Sequence, residues 1–308
     1  MNAAELGFWT ILLAGAVRLA TPIVLAALGE TLVERSGVVN LGVEGMMALG
    51  AFTGVLGASE AGWAAGLALG TAAGALLGLI MGLAVLKGGV NQIVAGIAIA
   101  LLGVGLADYF FQIWQPSGRS AVIVPLVPTL RVPLLDQLPL VGEALFAQSP
   151  LTYLAVAAVV ITTWALKKTT PGLRLRAVGD DPEAAHLRGI DVVSVRIAAL
   201  VLGGALAGFG GATITVGYLG SFTDDVTSGR GYIAIAVVII GRWSPVGALL
   251  GALLFALFDS LALLAQSQSA GMPVELYSSL PYAMTLLALV VTARAQHAPR
   301  ALGRAFDG

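Results

Sequence analysis

Residues 62–86 read Gly62-Trp63-Ala64-Ala65-Gly66-Leu67-Ala68-Leu69-Gly70-Thr71-Ala72-Ala73-Gly74-Ala75-Leu76-Leu77-Gly78-Leu79-Ile80-Met81-Gly82-Leu83-Ala84-Val85-Leu86, without a single charge. A helix rising 1.5 Å per residue crosses the ~30 Å hydrocarbon layer in about 20 apolar residues, and this stretch is longer than that. A soluble fold would have to bury it on every side. The same pattern recurs along the chain. No charged residue lies between Lys87 and Asp108, Glu143 and Lys167, Arg196 and Asp224, or Glu275 and Arg294. Of the 308 residues, 58% are hydrophobic and 11% charged, against roughly 25% charged in soluble domains. The expected fold class is therefore all-α, a polytopic transmembrane helical bundle of about 8–10 spans in one domain, residues 1–308.

The spacing predicts helices over 8–28, 38–58, 61–86, 92–114, 150–166, 194–217, 231–241, 246–266 and 279–294. The 231–241 segment is too short for a full crossing and reads as a half-helix. Lys and Arg in the connections set the orientation. Arg35, Lys87, Lys167, Lys168, Arg174, Arg176, Arg188, Arg196, Arg242, Arg294, Arg300 and Arg304 fall on one side, with only Arg119, Arg131 and Arg230 on the other. That bias places the 167–193 loop and the C-terminus in the cytoplasm and the N-terminus outside. Met1 to Leu6 carry no basic n-region, so no cleaved signal peptide is expected. The external loop, 115–149, holds Pro116, Pro125, Pro128, Pro133, Pro139 and Pro150 at its end, which forbids a long helix. It is either an ordered cap open to a partner or a passive connector.

Glycine recurs every fourth residue from Gly62 to Gly82, and the spacing repeats at Gly204/Gly208 and Gly247/Gly251. Lipid is as apolar as leucine, so helices in a bilayer associate by close backbone approach, which such ridges permit. The ridge serves as plain packing or as a seam that slides during transport.

Several function classes are excluded. A net charge of −1 leaves no basic excess for nucleic acid. Without cysteine there is no disulfide or thiolate metal site. The G-x-x-x-x-G-K-[ST] phosphate loop and the H-E-x-x-H motif are absent, and His186 and His297 both fall in cytoplasmic segments. The chain itself is not expected to be an enzyme or to hold a cofactor.

The cytoplasmic segment 179–190 carries every device that starts and stops a short helix. Asp181 can cap, Pro182 suits the first turn, and Glu183 and Arg188 match the two ends of the dipole. Gly189 can take the left-handed conformation that ends the helix. Two turns are marginal alone in water, so the segment is either a docking helix or a simple connector.

The run Arg176-Ala177-Val178-Gly179-Asp180-Asp181-Pro182-Glu183-Ala184-Ala185, followed by Gly189-Ile190-Asp191, resembles the cytoplasmic loop of ABC-importer permeases of the branched-chain amino acid, simple sugar and nucleoside superfamily. Residues 30–47, from Glu30 to Met47, and 231–245, from Gly231 to Pro245, match it too. The second block and the chain length are most similar to the shorter permease of nucleoside-type importers. The resemblance implies that Gly179, Asp180, Asp181, Pro182, Glu183, Ala184, Ala185, Arg188 and Gly189 form a coupling helix on a partner ABC ATPase, which would hold the ATP and Mg. It further implies a longer homologous permease, an external substrate-binding lipoprotein, the bacterial inner membrane surrounded by lipid, and nucleoside cargo moved by alternating access. Simple sugars or other small polar solutes are the alternative cargo. An ion-coupled secondary transporter using Asp108 and Asp259 is the alternative class.

Polar groups at membrane depth mark candidate cargo residues. Asn40 and Glu44 lie four apart at the start of the second span. Asn91 and Gln92 open the fourth, where they either read a base or sugar or cap helix starts. Phe222, beside Thr223, Asp224 and Asp225, could stack on cargo at the entrance. Arg18, Asp108 and Asp259 either line the path or tie to one another.

Overall fold

The computed structural model describes residues 3–115, 122–133, 136, 141–267, 279, 282, 283, 285–287, 290 and 298–306. In chain order the elements are α1 (Ala3–Arg35), α2 (Val43–Ala61), α3 (Trp63–Leu86), α4 (Gln92–Trp114), β1 (Leu130–Arg131), α5 (Val141–Phe146), β2 (Ala147–Gln148), α6 (Pro150–Lys168), α7 (Thr170–Asp180), α8 (Pro182–Leu187), α9 (Val192–Ile214), α10 (Arg230–Ile240) and α11 (Pro245–Ser267). The last turn of α9 widens into a π turn, Thr215–Leu219. The protein is an all-α membrane bundle. Among the described residues, six helices are long and apolar enough to cross a bilayer: Leu6–Arg35, Trp63–Leu86, Gln92–Trp114, Pro150–Lys168, Val192–Leu219 and Pro245–Gln266.

The remaining expected spans differ. The 279–294 segment, which ends at Arg294, lies mostly outside the described residues, and His297, Pro116, Arg119 and Pro139 lie outside them. The span expected at 38–58 begins instead at Val43, because Gly37 is left-handed (φ 90°) and the Asn40 amide oxygen accepts the Gly42 amide at 3.0 Å. That turn delays α2 and leaves it a buried helix inside the bundle. The loop expected over 167–193 holds a further helix, α7, started by Thr169 and Pro171. Thr169 accepts the Gly172 amide, and proline suits the first turn.

The core sits where α1, α2 and α9 meet, and α3 packs across α2 and α9. Four of the six glycines of the ridge make that contact. A Cβ at Gly70 would stand 2.6 Å from that of Ala212, and one at Gly74 would stand 2.7 Å from the Gly208 Cα. At Gly66 and Gly78 it would strike the carbonyls of Gly54 and Leu200. Gly62 instead forms the α2–α3 turn, and Gly82 has ordinary clearance. Outward faces are apolar and exposed, as at Ile93, Ile97 and Leu101 on α4 and Val160, Ile161 and Trp164 on α6. Lipid is the natural solvent for such faces.

Part of the 115–149 segment is ordered against the bundle. Strands β1 and β2 pair antiparallel. Val124 and Val127 are buried, and their amides bond the Gly220 and Val216 carbonyls at the end of α9.

Candidate functional site

The 11 residues of α10 rise only about 16 Å, half the hydrocarbon thickness. A tight turn then leads into α11. Arg242 and Trp243 both take left-handed φ there (55° and 53°), and Gly247 lets its backbone press on the Gly241 carbonyl. The turn is latched to the C-terminal end of α1. The Trp243 indole N–H donates to Glu34, and Arg35 Nε donates to the Trp243 carbonyl at 2.8 Å. The start of α10 therefore lies about 16 Å from that end of the bundle.

A buried carboxylate from another helix meets that start. The N-cap of α10 is Gly229, which has no side chain to satisfy the free first-turn amides. Glu44, 5% exposed at the head of α2, supplies the acceptor. Its Oε1 accepts from the Thr227 hydroxyl at 2.5 Å and the Gly229 amide at 3.1 Å, and its Oε2 accepts from the Gly231 amide at 2.6 Å. Anions are favoured at a helix N-terminus, so Glu44 joins the two short helices head to head.

The expected pairing of Asn40 with Glu44 on one helix face is not found, because Asn40 precedes α2. Its amide donates to Glu30 Oε2 at 3.0 Å, toward α1. Asn91 is an exposed N-cap accepting from the Ile93 and Val94 amides. Gln92 is buried at the N-terminal end of α4, where it accepts from the Val39 amide at 2.9 Å. Phe222 does not stand at an open entrance. It is 5% exposed inside an aromatic cluster, with ring centroids 4.8 Å from Phe111 and 5.8 Å from Phe52. Its neighbours Thr223, Asp224 and Asp225 are exposed.

Two cavities flank the 223–230 loop and share Ser228 and Arg230. One of about 400 Å³ is bordered by Pro22, Tyr218, Thr223, Asp224 and Asp225. The other, of about 280 Å³, is lined by Ile233, Phe255, Asp259, Gln266 and Tyr282. In it Arg230 Nη2 stands 3.6 Å from Asp259 Oδ2, with both side chains about one-fifth exposed (19% and 22%). Asp259 thus pairs with Arg230 rather than with Arg18 or Asp108. Phe255 and Tyr282 meet edge to face at 6.0 Å, and the Tyr282 hydroxyl donates to the Ser228 carbonyl at 3.2 Å. Together they form an aromatic wall beside the ion pair, whose Arg230 Nη1 also donates to the Thr227 carbonyl at 3.4 Å. Of the sequence candidates, Thr223, Asp224, Asp225 and Asp259 border these cavities. Arg230 escaped notice because it is the last residue of an external loop by hydropathy, and Phe255 and Tyr282 because apolar aromatics carry no local signal.

The helix-starting and helix-ending devices of the 179–190 segment are built as their residue types require. Asp181 Oδ1 accepts the Ala184 amide at 2.9 Å, Pro182 opens α8, and Gly189 is left-handed (φ 81°) with its amide on the His186 carbonyl. Gly179 and Asp180 belong to the end of α7, not to a lead-in turn, and Gly179 is pressed against the Arg35 carbonyl. Ala185 is buried while Glu183, Ala184, Leu187 and Arg188 are exposed. Leu173, 60% exposed, lines a groove of about 470 Å³ between α7 and α8, and Leu187 of α8 is 87% exposed. Asp191 caps α9, and bonds from the Ser194 hydroxyl and amide hold its carboxyl below the ordinary carboxylate range.

A family model for the permease component of branched-chain amino acid transport systems matches residues 12–289. The putative glucose ABC transporter permease protein TsgC13 of Haloferax volcanii is 38% identical over 84% of this chain and 78% of its own. The nucleoside ABC transporter permease protein NupC of Lactococcus lactis is 33% identical over 95% of both chains. The guanosine ABC transporter permease protein NupQ of Bacillus subtilis is 34% identical over 92% of both. No solved structure matches the chain.

Proposed function

The chain belongs to the family of permease components of branched-chain amino acid transport systems, and from that premise we propose that it is the membrane-spanning permease of a binding-protein-dependent ABC importer for nucleosides. The single observation that carries the cargo path is the aromatic-walled cavity beside the broken helix, where Arg230 and Asp259 face each other. Their opposite charges cancel, and Asp224 and Asp225 add negative charge on the other side of the loop. A neutral solute rich in hydroxyls and ring nitrogens suits such a site. An anionic nucleotide would bring unmatched charge into low dielectric.

ATP and Mg are held by a cytoplasmic ABC ATPase gripping α8 within the 167–193 loop, and this chain performs no chemistry of its own. A longer homologous permease completes the membrane unit. An external lipoprotein delivers cargo toward the 115–149 side. The complex lies in the bacterial inner membrane with its C-terminus in the cytoplasm, and residues 1–308 act as one permease domain. Helices broken at mid-depth line transport cavities in other carriers, and their junction is where alternating access would open the path. The likeness to nucleoside and guanosine permeases over almost the whole chain supports the nucleoside reading. The likeness to a putative glucose permease favours simple sugars as the second.

The test is uptake of labelled adenosine, guanosine and glucose into vesicles holding the assembled complex, with and without ATP, for the wild type, Asp259→Asn and Arg230→Gln. ATP-dependent nucleoside uptake, lowered about tenfold or more in either variant, is expected, a loss of roughly 1.4 kcal/mol in recognition. Uptake driven by an ion gradient without ATP would instead identify a secondary transporter. Wild-type rates in both variants would remove this cavity from the path.

A further inference from the structure

Residues 298–306 cross the cytoplasmic face of the bundle and touch α4, α7, α8, α9 and the α1–α2 turn. The Ala301 amide donates to the Gly179 carbonyl of α7 at 2.9 Å, and the Gly303 amide donates to the Gly37 carbonyl of the α1–α2 turn at 3.0 Å. The Arg304 carbonyl accepts from Gln92 Nε2 of α4 at 3.3 Å and from Arg196 Nη1 of α9 at 3.2 Å. Phe306 then packs on a small apolar cluster of Val178, Ala185 and Val192, and its ring meets that of His186 on α8 at 5.6 Å. Ala301 is 2% exposed.

Arg196 is the hub of this arrangement. It is fully buried, and its Nε donates to the Ser36 carbonyl at 3.2 Å. Its Nη2 has no partner among the described residues. A buried guanidinium held by backbone carbonyls alone is costly unless it fixes geometry. Here it clasps the α1–α2 turn and the tail to one helix. A two-turn helix such as α8 has little stability of its own, so what holds it decides how a push on it is passed on.

We infer that residues 298–306 are a strap that positions the coupling helix, with Phe306 and the Arg304 carbonyl as its anchors. A push on α8 reaches α1, α4 and α9 through the tail as well as through the loop into α9. The strap is part of the energy-coupling device rather than an inert terminus, an inference that rests on α8 being the element the ATPase moves. Phe306 is a positioning residue and touches neither cargo nor nucleotide.

The test uses the full complex in proteoliposomes and reads cargo imported per ATP hydrolysed. In Phe306→Ala this ratio falls about fivefold, the lower end of allosteric couplings, and Phe306→Leu restores most of it. A second variant separates positioning from folding. The chain has no cysteine, so His186→Cys with Phe306→Cys places a single disulfide between α8 and the tail. The oxidised pair couples better than the same sample reduced. An unchanged ratio in Phe306→Ala, or an identical ratio in oxidised and reduced samples, overturns the strap. Glu183→Lys on the exposed face of α8 is the reference. If it leaves complex assembly and uptake intact, the coupling-helix reading fails, independently of Phe306.

Discussion

Replacing Gly74 with alanine adds one methyl group to α3 where α3 crosses α9. The new Cβ would lie against the Gly204 carbonyl, 2.7 Å from the Gly208 Cα and 2.8 Å from the Gly208 amide nitrogen, whereas ordinary contact begins at 3.4 Å. All three neighbours are backbone atoms of a helix and cannot rotate away. The helices must part by at least about 0.7 Å, the difference between 3.4 and 2.7 Å, and by more to clear the Gly204 carbonyl. Overpacking of that kind costs about 1–3 kcal/mol, and exchanging glycine for alanine within a helix returns up to ~1 kcal/mol of propensity. The backbone contact puts the cost at the upper end, so a net loss of about 2 kcal/mol is expected. At roughly 2 °C per kcal/mol for a chain of this size, the detergent-solubilised protein should melt about 4 °C lower. Gly105 on α4 is the matched control, since nothing lies within 4 Å of its virtual Cβ. Gly105→Ala should leave the melting temperature unchanged or raise it slightly. Thermal melts of the two variants in one detergent decide the matter, and a Gly74→Ala protein as stable as Gly105→Ala would refute the close-packed seam.

Glu44→Gln keeps the shape but replaces one acceptor oxygen with a donor facing N–H groups at the head of α10. It should lower stability by about 1–3 kcal/mol, read as a lower melting temperature, and should weaken uptake by loosening the broken helix. Phe222→Ala should destabilise by about 3–5 kcal/mol by opening a void in the Phe52–Phe111 cluster, with the loss appearing in melting temperature rather than in cargo selectivity. Asp181→Ala removes the N-cap of α8, worth about 1 kcal/mol. Faster cleavage within 181–190 in limited proteolysis of the free permease should report it, and the difference should shrink when the ATPase is bound.

Much of this protein was legible from local pattern. Charge-free stretches announce spans because a bilayer penalises every charge along some 20 consecutive residues. Asp181, Pro182 and Gly189 announce α8 because caps act within four residues of themselves. Glycines four apart announce a close-packed face because a helix turns every 3.6 residues, although only the fold showed which of them meet a neighbour and that Gly62 makes a turn instead. The polar partnerships were not legible. Glu44 finds Thr227 and Gly231, Arg230 finds Asp259, Trp243 finds Glu34, and the Arg304 carbonyl finds Gln92 and Arg196. Each joins groups from distant parts of the chain, and each forms because a buried polar atom must satisfy itself with whatever the packing brings within reach. That choice is made by the arrangement of helices in space, and no window of sequence contains it.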